Sequence, residues 1–180
     1  MRSSLFPSAL HFTYDKESSK QYNQHCVRQL PNGNILLFDN GDVRPDAQLD
    51  AKGRFTRLAE YQLDRDAGVA KLVWEFRPML NATRYAYSFH AGAVARLTNG
   101  HTVGGFSCDN ELAGAACTHM VYVADAHGAE VARIRVPAPA AGDDDETSVG
   151  GFGYRALPLG SLAGEQSALF GSQTFAPVMV

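Results

Sequence analysis

Residues 26–38, CVRQLPNGNILLF, decide the fold of this chain. Two strand-like runs, at 26–30 and 35–38, are separated by Pro31-Asn32-Gly33-Asn34. Asn-Gly between apolar runs is the strongest short-range signal for a β-hairpin, because both turn residues tolerate a positive φ. The stretch therefore predicts two antiparallel strands. A second turn is predicted at Asp39-Asn40-Gly41-Asp42, where the hairpin ends.

The same hairpin recurs later in the chain, and a second hairpin follows each copy. The predicted strands span 26–30, 35–38, 57–63, 69–76, 93–97, 102–106, 120–123 and 130–136. Gly33 and Gly100, in the two Asn-Gly turns, are 67 positions apart. Gly68 and Gly128, in the turns of the following hairpins, are 60 positions apart. A four-stranded antiparallel unit that repeats in sequence is typical of the blades of a β-propeller, so the predicted fold class is all-β.

The repeat also predicts how the chain is divided. The predicted segments are an irregular N-terminal segment at 1–20, a blade at 21–80, a blade at 86–137, a partial blade at 150–159 and a C-terminal tail at 160–180. Closed propellers use about 4–8 blades, so two to three blades make only a partial propeller, spanning 21–159. The exposed edges of open sheets favour self-association.

Composition and charge argue against several classes of protein. The 180 residues carry a formal net charge of −3, which argues against binding to nucleic acid. No stretch approaches the roughly 20 apolar residues of a membrane span, and the first ten residues lack the apolar centre of a signal peptide. The six histidines show no ligand spacing and the cysteines form no CxxC pair, so we predict no metal site and no cofactor.

Two features near the carboxy-terminal half have local interpretations. Cys108 and Cys117 flank a predicted turn, and they either pair in an oxidising compartment or remain thiols in a reducing one. The acidic run at 143–146 predicts a solvated loop, since the ligands of hard-cation loops alternate along the sequence.

Residues 24–41, QHCVRQLPNGNILLFDNG, resemble the arylsulfotransferase family. Members commonly show a Gln-His, a short strand, an Asn-Gly turn, an apolar strand and Phe-Asp-Asn-Gly. Residues 57–76 resemble the family's next hairpin, and Gly153-Tyr154-Arg155-Ala156 resembles a Tyr-Arg-Ala near its carboxy terminus. The resemblance spans most of residues 21–159.

The resemblance implies a six-bladed propeller of which this chain covers the carboxy-terminal portion. It implies transfer of a sulfuryl group from a phenolic sulfate donor to a phenol acceptor, without a nucleotide donor, in a periplasmic or secreted protein. The histidine that is transiently sulfated in the family matches His25. The other central histidines of the family, and an arginine and asparagine that hold the sulfate, lie upstream of the matching region. The residues themselves agree with this role, because neutral imidazole is a competent nucleophile near neutral pH.

Four further residues are candidate substrate contacts, each with a competing interpretation. Arg44 and Arg155 could bind the sulfate, or could be a solvated loop cation and a blade-closing ion pair. Asn40 could contact substrate, but shaping the turn is the favoured role because Asn tolerates the left-handed region. His90 could contact substrate or be a packed or surface histidine. With the Asn-Gly turns aligned, His25 falls at Gly92, so His90 does not share its register.

A second hypothesis belongs to another class of protein. The chain could be a non-catalytic module derived from a propeller, acting as a binding or scaffolding surface. This hypothesis is supported by the absence from the sequence of the upstream half of the propeller and of the residues that hold the sulfate.

Overall fold

A computed structural model describes residues 12–107 and 118–137 of the chain. Within this part the chain forms strands and two 3-10 helices, at Glu17–Ser19 and Asp46–Gln48. The strands are β1 (Thr13–Tyr14), β2 (Gln24–Gln29), β3 (Ile35–Asp39), β4 (Arg57–Asp64), β5 (Val69–Phe76), β6 (Met79–Asn81), β7 (Arg84–Tyr85), β8 (Ala93–Arg96), β9 (Thr102–Phe106), β10 (Thr118–Ala124) and β11 (Glu130–Pro137). The all-β prediction is confirmed.

Two antiparallel meanders make up most of the structure. The first sheet has the order β1-β5-β4-β3-β2, in which β1 pairs in parallel with β5, and the second has the order β11-β10-β9-β8. Both predicted Asn-Gly turns are present: Gly33 has φ +86 and Gly100 has φ +85, which favours glycine at these positions. The amide of each glycine donates to a carbonyl three residues earlier, at 2.9 Å in the first turn and 3.0 Å in the second. Neither sheet closes on itself within the described residues.

The two meanders share one hydrophobic core. Its buried members come from both sheets and from the segment between them: Leu36, Phe38, Leu58, Phe76, Ala86, Val94, Phe106, Tyr122 and Ala124. The Phe106 ring lies between Phe38, at 4.8 Å between centroids, and Tyr122, at 5.0 Å. Burying one such aromatic side chain contributes about 1.5–3 kcal/mol, so this cluster is what holds the sheets face to face.

A buried ionic network occupies the opposite face of the first sheet. The Arg57 side chain is fully buried, and its guanidinium bonds to Asp39 Oδ2 at 2.8 Å and to Glu75 Oε2 at 2.9 Å. It also donates to the backbone carbonyls of Ser18, Ser19 and Lys20. Burial raises the pKa of the nearby Tyr61 hydroxyl, which donates to the Ser19 carbonyl. The network therefore fastens the segment before β2 to the sheet.

Two features of the architecture were not predicted. Thr13–Tyr14, in the segment expected to be irregular, forms β1. The β6–β7 hairpin lies between the two meanders in sequence, and a short turn at 82–83 joins its two strands. The predicted partial blade at 150–159 and the pair Cys108 and Cys117 lie outside the described residues. Among the helices of the described part, none is long and apolar enough to cross a membrane.

Candidate functional site

The histidine of the Gln-His motif lies beside a β-bulge in β2. His25 pairs with Phe38 and Arg28 pairs with Leu36, so Cys26 and Val27 together face the single residue between those partners. Cys26 adopts φ +49, a left-handed conformation that is uncommon for any residue other than glycine. A bulge of this kind bends the strand and changes the direction of neighbouring side chains.

The Cys26 thiol bonds to the backbone of the other sheet. The Val94 amide donates to Cys26 Sγ at 3.4 Å, and the thiol approaches the Val94 carbonyl at 3.6 Å. These contacts join the bulge of β2 to β8, 68 residues later. The left-handed backbone at Cys26 is thus held by a contact between the two meanders.

Several residues other than glycine have a left-handed backbone conformation, and two of them are close to His25 in sequence. In the described part they are Asn23 (φ +56), Cys26 (φ +49), Val43 (φ +55) and Ala91 (φ +56). Two of them flank His25 in sequence, and Ala91 belongs to the loop that binds the histidine's hydrogen-bond partner. Such strained residues cluster at functional sites, where the surrounding structure holds them.

Asn40 links His25 to the loop before β8. Its side chain is fully buried. Asn40 Nδ2 donates to the Ser88 carbonyl at 2.7 Å and to the Ala91 carbonyl at 2.8 Å, while its Oδ1 lies 2.7 Å from His25 Nδ1. With the amide reversed, its oxygen would face two carbonyl acceptors, so only this orientation satisfies the contacts.

The orientation of Asn40 fixes the tautomer of His25. Asn40 Oδ1 is an acceptor only, so the hydrogen in the 2.7 Å contact must belong to His25 Nδ1. In the neutral imidazole the other nitrogen, Nε2, then carries a lone pair and no proton. The bond at Nδ1 therefore makes Nε2 the ring nitrogen whose lone pair is available for a ligand or a reaction.

The loop that Asn40 binds is itself anchored by hydroxyl groups. Thr56 Oγ1 accepts from the Ser88 amide at 2.8 Å and donates to the Asn40 carbonyl at 2.8 Å. The Ser88 and Ser107 hydroxyls are hydrogen-bonded to one another, and Ser107 Oγ donates to the His90 carbonyl at 2.6 Å. These hydrogen bonds hold the loop so that the Ser88 and Ala91 carbonyls can accept from the side-chain amide of Asn40.

The structure brings three of the five predicted site residues to one region. His25 bonds to Asn40, and Asn40 bonds to the two carbonyls on either side of Phe89-His90. The His90 ring packs against Phe89 with 4.0 Å between centroids. The favoured role of Asn40 in shaping the turn is wrong, because the left-handed residue there is Gly41 (φ +74) and the Asn40 amide reaches across to the loop.

Arg44 is buried, unlike the solvated loop cation that was one interpretation of its sequence. Its side chain is 1% exposed and pairs with Asp39 Oδ2 at 2.7 Å, so the expected solvated cation is wrong. The guanidinium carbon lies 4.8 Å from the centre of the Tyr22 ring and 4.4 Å from that of Phe55. Burial lowers the pKa of Arg44, against the opposing effect of Asp39. A sulfate-binding role for this residue stays a prediction, and its guanidinium already has an anionic partner. Arg155 lies outside the described residues.

Two residues of this region carried no signal in the sequence analysis. They are Cys26, which forms the bulge, and Arg28, which the bulge turns to the same side as His25. Among the described residues, no group of three or more His, Cys, Asp and Glu side chains could hold a metal ion.

The chain was compared with models of protein families. Residues 5–141 match the model described as Arylsulfotransferase (ASST). The matched range contains every described strand and includes His25, Asn40 and His90. No curated protein sequence matches the chain.

Proposed function

Since this chain belongs to the arylsulfotransferase family, we propose that it transfers a sulfuryl group between phenolic compounds, with His25 as the transient carrier. The observation that carries the proposal is the bond between His25 Nδ1 and Asn40 Oδ1 at 2.7 Å. It keeps the proton on Nδ1 and the lone pair on Nε2, which is the atom a nucleophilic histidine needs.

The first half of the proposed reaction forms a sulfohistidine. The lone pair of Nε2 attacks the sulfur of an aryl sulfate, and the bond from sulfur to the phenolic oxygen breaks. The oxygen leaves with the bonding electrons as a phenolate, which takes a proton from solvent. The imidazole ring becomes positively charged, and the Asn40 carbonyl oxygen at Nδ1 stabilises that charge.

The second half of the reaction regenerates the histidine. The hydroxyl of an acceptor phenol gives its proton to solvent, and its oxygen attacks the same sulfur. The bond from Nε2 to sulfur breaks, and its electrons return to Nε2. The proton stays on His25 Nδ1, hydrogen-bonded to Asn40 Oδ1, throughout, so the ring keeps one orientation in both halves.

We also propose that the two meanders are neighbouring blades of a propeller. Their face-to-face core and the contact of Cys26 with Val94 support a stacked arrangement, in which β2 and β8 are the first strands of their blades. The first strand of a propeller blade lines the central channel. His25, at the start of β2, would then face that channel.

The test is transfer of the sulfuryl group to the protein itself. Full-length protein is incubated with 4-nitrophenyl sulfate, release of the phenol is followed by absorbance, and a quenched sample is digested for peptide mass analysis. We expect a burst of 4-nitrophenol and a sulfated peptide containing His25. Addition of a second phenol should then give steady turnover.

His25→Ala should abolish both signals, and His127→Ala is the matched control, because His127 is exposed in the turn between β10 and β11. Phenol release equal in wild type and His25→Ala, without a sulfated peptide, would contradict the proposal. That outcome would favour the non-catalytic module. Light scattering at several concentrations would then test whether such a module self-associates.

A further inference from the structure

The bulge in β2 places His25 and Arg28 on the same face of the first sheet. Residues three apart on a regular strand point to opposite faces. Here His25 pairs with Phe38 and Arg28 with Leu36, and these two partners both belong to the core between the sheets. Because paired residues share a face, His25 and Arg28 both point toward the second meander.

The exposure of β2 agrees with this assignment. His25, Cys26 and Arg28 are partly buried, whereas Gln24, Val27 and Gln29 are exposed. Two steps of strand pairing separate the backbones of His25 and Arg28, which corresponds to about 7 Å. A single small anion could therefore contact both side chains.

Arg28 lacks the carboxylate partner that five other arginines of the described part have. Five arginines of the described part pair with carboxylates: Arg44 and Arg57 with Asp39, Arg77 with Glu75, Arg96 with Glu60, and Arg133 with Glu130. Within residues 12–107 and 118–137, the side chain of Arg28 forms no hydrogen bond or ion pair with another residue, and its Nε is buried without a partner, as are those of Arg44, Arg77 and Arg96. Because no carboxylate pairs with the partly buried Arg28, an incoming anion would not have to displace an internal partner.

We propose that Arg28 binds the sulfonate group of an anionic aryl substrate beside His25. This inference rests on the proposed function, because it identifies the charged group that the site recognises. The planar guanidinium can donate two parallel hydrogen bonds to two sulfonate oxygens, which leaves the sulfur accessible to Nε2. Arg28 holds the substrate in the ground state and during transfer, since the sulfonate keeps its negative oxygens in both.

The test uses an anion that binds but cannot be transferred. In 4-hydroxybenzenesulfonate the sulfur is attached to carbon, so binding can be measured by titration calorimetry without reaction. We expect Arg28→Gln to weaken this binding by about 10- to 100-fold, the usual effect of losing a charged hydrogen-bonding partner. Arg28→Lys should recover part of the affinity, because lysine restores the positive charge but not the two parallel donors of the planar guanidinium.

Arg65→Gln is the matched control, since it makes the same charge change in the exposed turn between β4 and β5. Equal affinity in wild type and Arg28→Gln, or no binding by the wild type, would overturn the inference. His25→Ala should still bind the sulfonate. Binding that depends on Arg28 without any sulfated His25 would contradict the transfer mechanism alone, so the two proposals fail separately.

Thermal unfolding gives a second measurement. Arg28→Met should leave the melting temperature unchanged or raise it, because no carboxylate loses its partner. Arg96→Met should lower it, because Glu60, whose side chain is 8% exposed, loses a 2.6 Å ion pair. A fall for Arg28→Met as large as that for Arg96→Met would show a structural ion pair at Arg28 and overturn the inference.

Discussion

The two Asn-Gly hairpins share a turn but differ in their first strand. The turn glycines, Gly33 and Gly100, have φ values of +86 and +85. However, β2 contains a bulge between His25 and Arg28, whereas β8 pairs with β9 without any register shift. The repeat thus keeps the element that sets the fold and changes the strand that carries the candidate site.

The bulge also changes which residues correspond between the copies. Alignment of the turns in sequence matches His25 with Gly92, but the extra residue in β2 shifts the spatial match by one. His25 pairs with Phe38 in β3. The position in β9 that matches Phe38 is Gly105, and Gly105 pairs with Ala93. Ala93 is fully buried and has no functional group. The candidate nucleophile therefore belongs to the copy whose regular strand pairing is interrupted.

The largest effect is expected from removing the residue that orients His25. Asn40→Ala deletes the acceptor at Nδ1 and leaves the Ser88 and Ala91 carbonyls without their donor. We expect sulfation of His25 to slow by about 100-fold or more, because the ring loses its tautomer and orientation. Single-turnover release of 4-nitrophenol measures this rate.

Asn99→Ala is the control for that variant, since Asn99 is exposed in the other hairpin's turn. The folded fraction of each variant is checked by circular dichroism. A folded Asn40→Ala protein that sulfates His25 at the wild-type rate would mean that Asn40 does not control the nucleophile.

The next effect comes from making the first hairpin resemble the second. Deletion of Val27 removes the extra residue, so that β2 can pair with β3 as regularly as β8 pairs with β9. His25 would still pair with Phe38, but the Cys26 side chain would point away from Val94 and the direction of the imidazole would change. We expect the sulfation rate to fall by about 10- to 100-fold, as for a small misplacement of a reacting group.

Circular dichroism and the melting temperature show whether the deletion variant is folded. Cys26→Ser is a milder companion, because it keeps the bulge and weakens only the contact with Val94. A folded deletion variant with the wild-type rate would show that the bulge has no role in aiming His25.

A smaller effect is expected where the second hairpin meets the first. Gly92 has φ +121, and a Cβ there would overlap the Phe38 ring. Gly92→Ala should therefore lower the free energy of unfolding by about 1–3 kcal/mol, from overpacking and backbone strain. Urea denaturation measures the change. Stability within error of wild type would show that the two meanders separate easily at this contact.

The sequence predicts local pairing in this protein well, because strand and turn signals are local. All eight predicted strands are present, since each is a period-two or apolar run next to Gly, Asn or Asp. The site depends on contacts that no local pattern contains. Asn40 bonds to carbonyls 48 and 51 residues away, and Cys26 bonds to Val94, 68 residues away. The Gln-His motif predicted His25 as a site residue. The tautomer of His25, and the orientation of Arg28 toward the same face of the sheet, follow only from the folded chain.

The smallest expected effect tests the part that the two hairpins share. Gly33 and Gly100 both have a positive φ, and an added Cβ would meet nothing within 4 Å at either position. Gly33→Ala and Gly100→Ala should each cost about 1 kcal/mol, from backbone strain alone, and the two costs should agree within about 0.5 kcal/mol. Urea denaturation of the two variants and their double mutant measures this, and the costs should add because the turns share no contact. A clearly larger cost for Gly33→Ala would mean that the bulged hairpin depends on its turn more than the regular one, because strain at Cys26 adds to strain at the turn.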